Sequence, residues 1–228
     1  RDRARRAARL KFIHISKTAG SYIENIGHNV NLQWGSYDKE YGYFHRTLSR
    51  MPERVRAKYD WFMVVRNPYE RVVSEFNWFH RESVEKNRRP GPRYFVHEFV
   101  NSRNRAAFKT MYHPLHANDT TLFNRAIRHL IAQRSGDGDH FTEQFLYLSP
   151  CLSGVCKIHV LRYENIGREF EALMEQYGIN LGFNESDKYN TAHASSFTTR
   201  DLDSSSIDLI REAYRRDFAH FGYSTELP

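Results

Sequence analysis

The sequence predicts an α/β fold of three layers, with a central, mainly parallel sheet flanked by helices. Three observations carry this. Short apolar runs rich in β-branched and aromatic residues stand at Phe12–Ile15, Asp60–Val65 and Lys157–Leu161, each of strand length. Each run leads within a few residues into a segment with helical spacing of apolar positions. The middle run, Asp-Trp-Phe-Met-Val-Val, is nearly all apolar, as expected of a parallel strand covered on both faces.

With 228 residues the chain suits one such domain, and two full domains would be cramped. Residues 1–9, an arginine-alanine run, read as a basic helical lead-in, and residues 10–228 as a single domain. Aromatic residues make up 14% of the chain, which argues against disorder, and no apolar run reaches the length of a membrane span. The net charge of +7 favours an acidic partner such as a nucleotide or an anionic polysaccharide. No zinc-finger or RNA-recognition pattern accompanies that charge, so no specific nucleic acid is implied. Cys151 and Cys156 are too few for a four-ligand zinc site; a small disulfide loop and two free thiols are the alternatives.

The first strand runs directly into Ser16-Lys17-Thr18-Ala19-Gly20-Ser21, and a helix then starts with Tyr22, Ile23 and Ile26 at helical spacing. A small-residue turn into a helix N-terminus presents several unpaired backbone N–H groups and the positive end of the helix dipole. Lys17 adds a full charge, so this corner suits a phosphate-like anion. It is not a Walker A loop, because the lysine precedes the glycine. Gln33–Gly42 reads as irregular, and Pro52–Lys58 as a short helix. The second strand ends in Arg66-Asn67-Pro68, where Asn67 suits an N-cap and Pro68 a first helical residue. The helix that follows, Pro68 to about Arg81, turns Val72, Val73, Phe76 and Phe79 to the core. This is a second basic corner at a strand end.

Residues 83–93 read as a charged loop, 93–101 as a helix, and 105–119 as irregular. Thr120–Arg134 is amphipathic through Leu122, Phe123, Ala126, Ile127, Leu130 and Ile131. The third strand is followed by Arg162-Tyr163-Glu164-Asn165 and a helix that stops at Gly178. Residues 180–200 are polar and expected to cover the site. The last helix is expected to run unbroken from Ser204 to Phe221.

The order Lys-Thr-small-Gly-Ser after an apolar strand resembles the 5′-phosphosulfate loop of the sulfotransferases, which use 3′-phosphoadenosine 5′-phosphosulfate (PAPS) and release PAP. VVRNPYERVVSEF is similar to the R-[DN]-P-x-x-R-x-x-S segment of Golgi-type carbohydrate sulfotransferases. The RYEN segment, His140-Phe-Thr-Glu-Gln near the cysteines, and the Tyr-x-x-Asp-Phe-x-x-Phe-Gly-Tyr ending also resemble the family, over roughly residues 10 to 223. The resemblance implies a P-loop-like fold. It also implies donor binding by Lys17, Thr18, Ala19, Gly20, Ser21 and Tyr22, with Arg66 and Ser74 on the 3′-phosphate. Pro68 to Ser74 spans only about 10 Å of helix, which a long arginine side chain can bridge.

Transfer of a sulfonate to an acceptor hydroxyl also needs a general base. His45 is the first choice, in the place where relatives often carry it. His140 is second and Glu24, on the first helix, is a weaker candidate; His14 is expected to pack or hydrogen-bond inside. No metal is implied, since Arg66 and Asn67 stand where a Walker B aspartate would be needed. The acceptor expected from the resemblance is a glycan hydroxyl, with a small hydroxylated molecule as the alternative. Two other functional classes are a P-loop kinase of small molecules and a non-catalytic polyanion-binding module. The compartment would be the Golgi lumen if an anchor stood upstream of Arg1, and the cytoplasm otherwise.

Overall fold

A computed structural model describes residues 2–38, 45–84, 119–132, 134, 140–184 and 197–228. Elements are numbered in order among these. They are α1 (Asp2–Arg9), β1 (Leu10–Ile13), α2 (Gly20–Asn29), α3 (Glu53–Lys58), β2 (Asp60–Val65) and α4 (Pro68–Val84). Then come α5 (Thr120–Ala132), α6 (Phe145–Leu148), β3 (Lys157–Arg162), α7 (Ile166–Gln176), α8 (Ser204–Ala213) and α9 (Arg215–Phe221).

The strands form one parallel sheet in the order β1-β2-β3. Strand β2 is central, and Trp61 to Val65 are all buried, which explains its unbroken apolar sequence. Alternation sends its side chains to two cores. Phe62 and Val64 join Leu10, Phe12, Trp34, Phe170 and Leu173 on one face. Trp61, Met63 and Val65 join Ile13, Tyr147, Leu148 and Phe221 on the other. A third cluster packs α4 against α5 and α8, through Val72, Val73, Phe76, Ile127, Leu130 and Ile210. The three-layer α/β architecture with helices flanking a parallel sheet is therefore present.

Several boundaries differ from the sequence reading. Strand β1 starts at Leu10, paired with Asp60, and its ladder ends at Ile13 opposite Met63. His14 and Ile15 lie beyond it, because the chain turns there into the loop. Pro52, the expected first residue of α3, is instead its N-cap with an extended backbone (ψ 143°), and the helix starts one residue later at Glu53. Helix α4 continues to Val84 and takes in the first two residues of the expected loop. The remainder of that loop, the helix expected over 93–101 and the stretch 105–118 lie outside the described residues. Helix α5 ends at Ala132, short of Arg134. Most of the polar cover expected over 180–200 also lies outside the described residues. Cys151 and Cys156 form a disulfide, which decides between the two alternatives.

The final helix is interrupted at Tyr214 (φ −118°, ψ 25°), giving α8 and α9. Tyr214 is buried and donates its hydroxyl to the Phe141 carbonyl at 2.9 Å. On the next turn, Asp217 accepts from the amides of Gln144 and Phe145 at 3.0 and 2.7 Å. The break lets both side chains hold the 141–145 segment. Apolar spacing alone does not reveal it, since Ile210, Tyr214 and Phe218 keep helical periodicity across the interruption.

Candidate active site

Parallel strands present their carboxyl ends along one edge, where open α/β sheets bind ligands. Because β1 and β2 are neighbours, the loop after Ile13 and the turn after Val65 emerge side by side. Strand β3 brings Tyr163 and Glu164 to the same edge.

The first corner is built to hold amides outward. Lys17 and Ala19 have left-handed backbones (φ 59° and 65°), costing roughly 1–2 kcal/mol each for a residue with a Cβ. Buried Thr18 pins the turn by donating its hydroxyl to the Ile15 carbonyl at 2.9 Å. Gly20 opens α2 against the His14 ring, and a Cβ there would overlap that ring. Among the described residues, the amides of Thr18, Ala19, Gly20 and Ser21 meet no carbonyl acceptor; the first amide to close on the turn is that of Ile23, on Ala19. Such orphan amides at a helix start suit an anion. Tyr22 is buried against Phe183, and its hydroxyl accepts from the Asn184 amide at 3.0 Å.

The second corner is held as firmly. Asn67 caps α4 by accepting from the Tyr69 amide at 2.9 Å, and Pro68 is the first helical residue. Gln144 brackets the Arg66 backbone: its Oε1 accepts from the Arg66 amide and its Nε2 donates to the Arg66 carbonyl, both at 2.9 Å. Glu164 accepts from the Asn67 amide at 2.8 Å. The Arg66 guanidinium stacks over Tyr163, 4.3 Å from the ring centroid. It donates to Glu70 at 3.2 Å and to the Lys17 carbonyl at 3.5 Å. The two corners are thus in contact. Ser74 is half-buried one turn beyond Glu70, and among the described residues it bonds to neither Lys17 nor Arg66.

Arg71 joins everything beneath this surface. It is 2% exposed. It donates to the Ser16 carbonyl (3.2 Å), the Ser16 hydroxyl (3.3 Å), the Thr142 carbonyl (3.0 Å) and the His140 carbonyl (2.9 Å). A planar, multi-donor guanidinium is suited to such a junction, and a lysine is not.

Three histidines stand in a column beside Lys17. The His45 ring centroid is 4.8 Å from that of His14 and 4.3 Å from that of His140. Carboxylates close both ends. Glu24 meets His14 Nδ1 at 2.9 Å, and Glu75 meets His140 Nδ1 at 2.6 Å. Burial, followed by the charges of His140, His14, Arg71 and Lys17, holds the His45 imidazole well below the usual histidine range. His45 itself has a left-handed backbone (φ 57°). Glu24 is buried and also accepts from the Ser36 amide and hydroxyl at 2.8 and 2.9 Å. Both Glu24 oxygens are thus engaged, one by His14 and the Ser36 amide and the other by the Ser36 hydroxyl. Trp78 packs against the end of the column and against Lys17, stacked on His140 with centroids 5.6 Å apart and with the Lys17 ammonium 5.8 Å from its ring centroid.

Sequence reasoning assigned no role of their own to Arg71, Glu75, Gln144, Glu164 and Trp78. Arg71 and Glu75 did leave a signal, as charged residues within an otherwise apolar run of α4. Gln144 and Glu164 stand in the His140-Phe-Thr-Glu-Gln and RYEN segments, but their roles did not show, because their partners are main-chain atoms 78 and 97 residues away.

A parallel sheet whose carboxyl edge joins an amide-lined lysine loop, an arginine and a histidine column has the parts of a group-transfer enzyme. The chain belongs to the sulfotransferase family, whose model matches residues 7–224. It is a transferase, and the group that its family moves is a sulfonate. No curated protein matches the chain.

Proposed function

We propose that this enzyme transfers the sulfonate of PAPS to an acceptor hydroxyl by in-line displacement, with His45 as general base. The observation that supports this best is the contact between Arg66 and the Lys17 carbonyl, which brings two anion-binding corners within reach of one doubly charged nucleotide. The orphan amides after Lys17 fit a 5′-phosphosulfate, and Arg66 over Tyr163 fits a separate phosphate.

When bound, the donor supplies an activated sulfonate on a phosphate leaving group. The transition state is loose, so positioning and charge stabilisation supply most of the rate. Lys17 and the amides of Thr18 to Tyr22 would stabilise the charge that builds on the leaving oxygen. Arg66, with Ser74 further along α4, would hold the 3′-phosphate through charge-assisted bonds. His45, kept neutral by its surroundings, is ready to take the acceptor proton.

The VVRNPYERVVSEF segment favours a carbohydrate acceptor of the Golgi type, and the basic net charge suits an anionic glycan. The disulfide agrees with a lumenal setting, since such bonds persist in oxidising compartments. Among the described residues no helix is long and apolar enough to cross a membrane. Residues 10–228 are proposed to act as one domain behind the α1 lead-in. The test is an acceptor screen with labelled PAPS, run beside labelled ATP and Mg²⁺. Label moving from PAPS to a glycan supports the reading; label moving only from ATP replaces it with a kinase.

A further inference from the structure

Glu75 is a feature of the site that donor binding and a single base leave unused. It sits on α4 directly after Ser74, with a side chain only 1% exposed. Among the described residues its ion-pair partner is His140, at 2.6 Å from Nδ1. Its second oxygen, Oε2, is buried with no hydrogen-bond partner among the described residues. Burial works to raise its carboxyl pKa. The His140 charge, the His140 hydrogen bond, Lys17 and Ser16 outweigh that, and the net direction is down. An ionised carboxylate in this position is costly unless it stabilises a positive charge beside it.

His140 is the partner able to carry that charge. Its side chain is 19% exposed, so it connects the buried acid to the surface. Its ring lies against His45 at 4.3 Å between centroids. Arg71 and Ser16 hold its backbone through the carbonyl.

We propose that Glu75 and His140 form a proton relay behind His45, receiving the acceptor proton from it and passing it to solvent. This rests on the sulfonate-transfer reading with His45 as base. The acceptor O–H bond breaks and its proton goes to His45. The freed oxygen pair forms the new S–O bond, while the old S–O bond breaks with its pair left on the phosphate. The proton on His45 moves to His140, where the Glu75 carboxylate balances the charge, and leaves through the exposed edge of the ring. His45 is thereby returned to its neutral form. Glu75 and His140 act through His45 and are positioning residues in this sense.

The test measures slow conversion of PAPS to PAP with water as acceptor, beside PAP affinity, in the full chain. Glu75→Gln and His140→Ala are each expected to lower turnover about tenfold or more, with PAP affinity within about twofold of wild type. Added imidazole is expected to restore turnover in His140→Ala and not in Glu75→Gln, a response that a packing role would not give. Unchanged turnover in either variant, or no imidazole rescue, overturns the relay. Should Glu75→Gln fail to fold, the His140→Ala rescue decides alone. A wild-type chain that does not bind PAP counts against the donor reading instead, so the two failures are told apart.

Discussion

The guanidinium of Arg66 lies 3.5 Å from the main-chain carbonyl of Lys17, although 49 residues separate them. The contact follows from topology. Parallel neighbours β1 and β2 end on one edge, and each sends its next basic residue over that edge. Lys17→Ala should abolish sulfonate transfer, because no other cation stands on the loop. Arg66→Ala should chiefly weaken donor binding. Steady-state assays at saturating PAPS separate the two effects, and undiminished turnover in Lys17→Ala would refute its role.

His45→Asn tests the base. Asparagine tolerates the left-handed backbone at this position better than most residues. Turnover should fall roughly a hundredfold or more with PAP affinity kept.

The same residue gives the fold a pH dependence. The groups facing its ring are His140, His14, Arg71 and Lys17, all of which oppose its protonation. Below pH about 6.5 the unfolded chain binds a proton at this position that the native chain refuses, so stability falls as pH falls from there toward the lowered native value. Urea melts of wild type and His45→Asn between pH 7 and 5 should show a shallower loss in the variant. Parallel curves would contradict this account.

Arg71 was legible only as part of a motif, and its work was not. Arg71→Met should take a donor from each of the carbonyls of Ser16, Thr142 and His140, at about 1–3 kcal/mol for each buried group left unsatisfied. The expected result is a large fall in melting temperature together with weaker PAP binding, since Ser16 directly precedes Lys17. A melting temperature equal to wild type would remove Arg71 from its junction role.

The disulfide closes a short loop between residues five apart in sequence. Chain-entropy arguments give it about 2 kcal/mol. Cys151→Ser with Cys156→Ser should therefore lower stability modestly and leave PAP affinity intact, because the disulfide packs in the core cluster with Tyr147 and Leu148. Equal stability in denaturant melts would count against it.

What the sequence made legible was local. The bounds of β2 follow from a run of apolar residues, and the cap at Asn67 from its side chain and the proline after it. The loop after β1 shows its small residues directly. What stayed hidden depends on distant partners. The break at Tyr214 serves a carbonyl at Phe141, 73 residues away. The Glu75–His140 pair spans 65 residues, and neither residue type distinguishes itself among the acids and twelve histidines of the chain. Glu24 reads only as a weaker candidate base on the first helix, and nothing in the sequence shows that Ser36 and His14 share its oxygens.

Calorimetric titration of PAP into the wild-type chain, Lys17→Ala and Arg66→Ala tests most directly whether two strand ends clasp one nucleotide. The account predicts a single saturable site in wild type, weakened about tenfold or more by either substitution, as expected when a charged partner of a phosphate is removed. Absence of binding to wild type, or binding that neither substitution weakens, would contradict it.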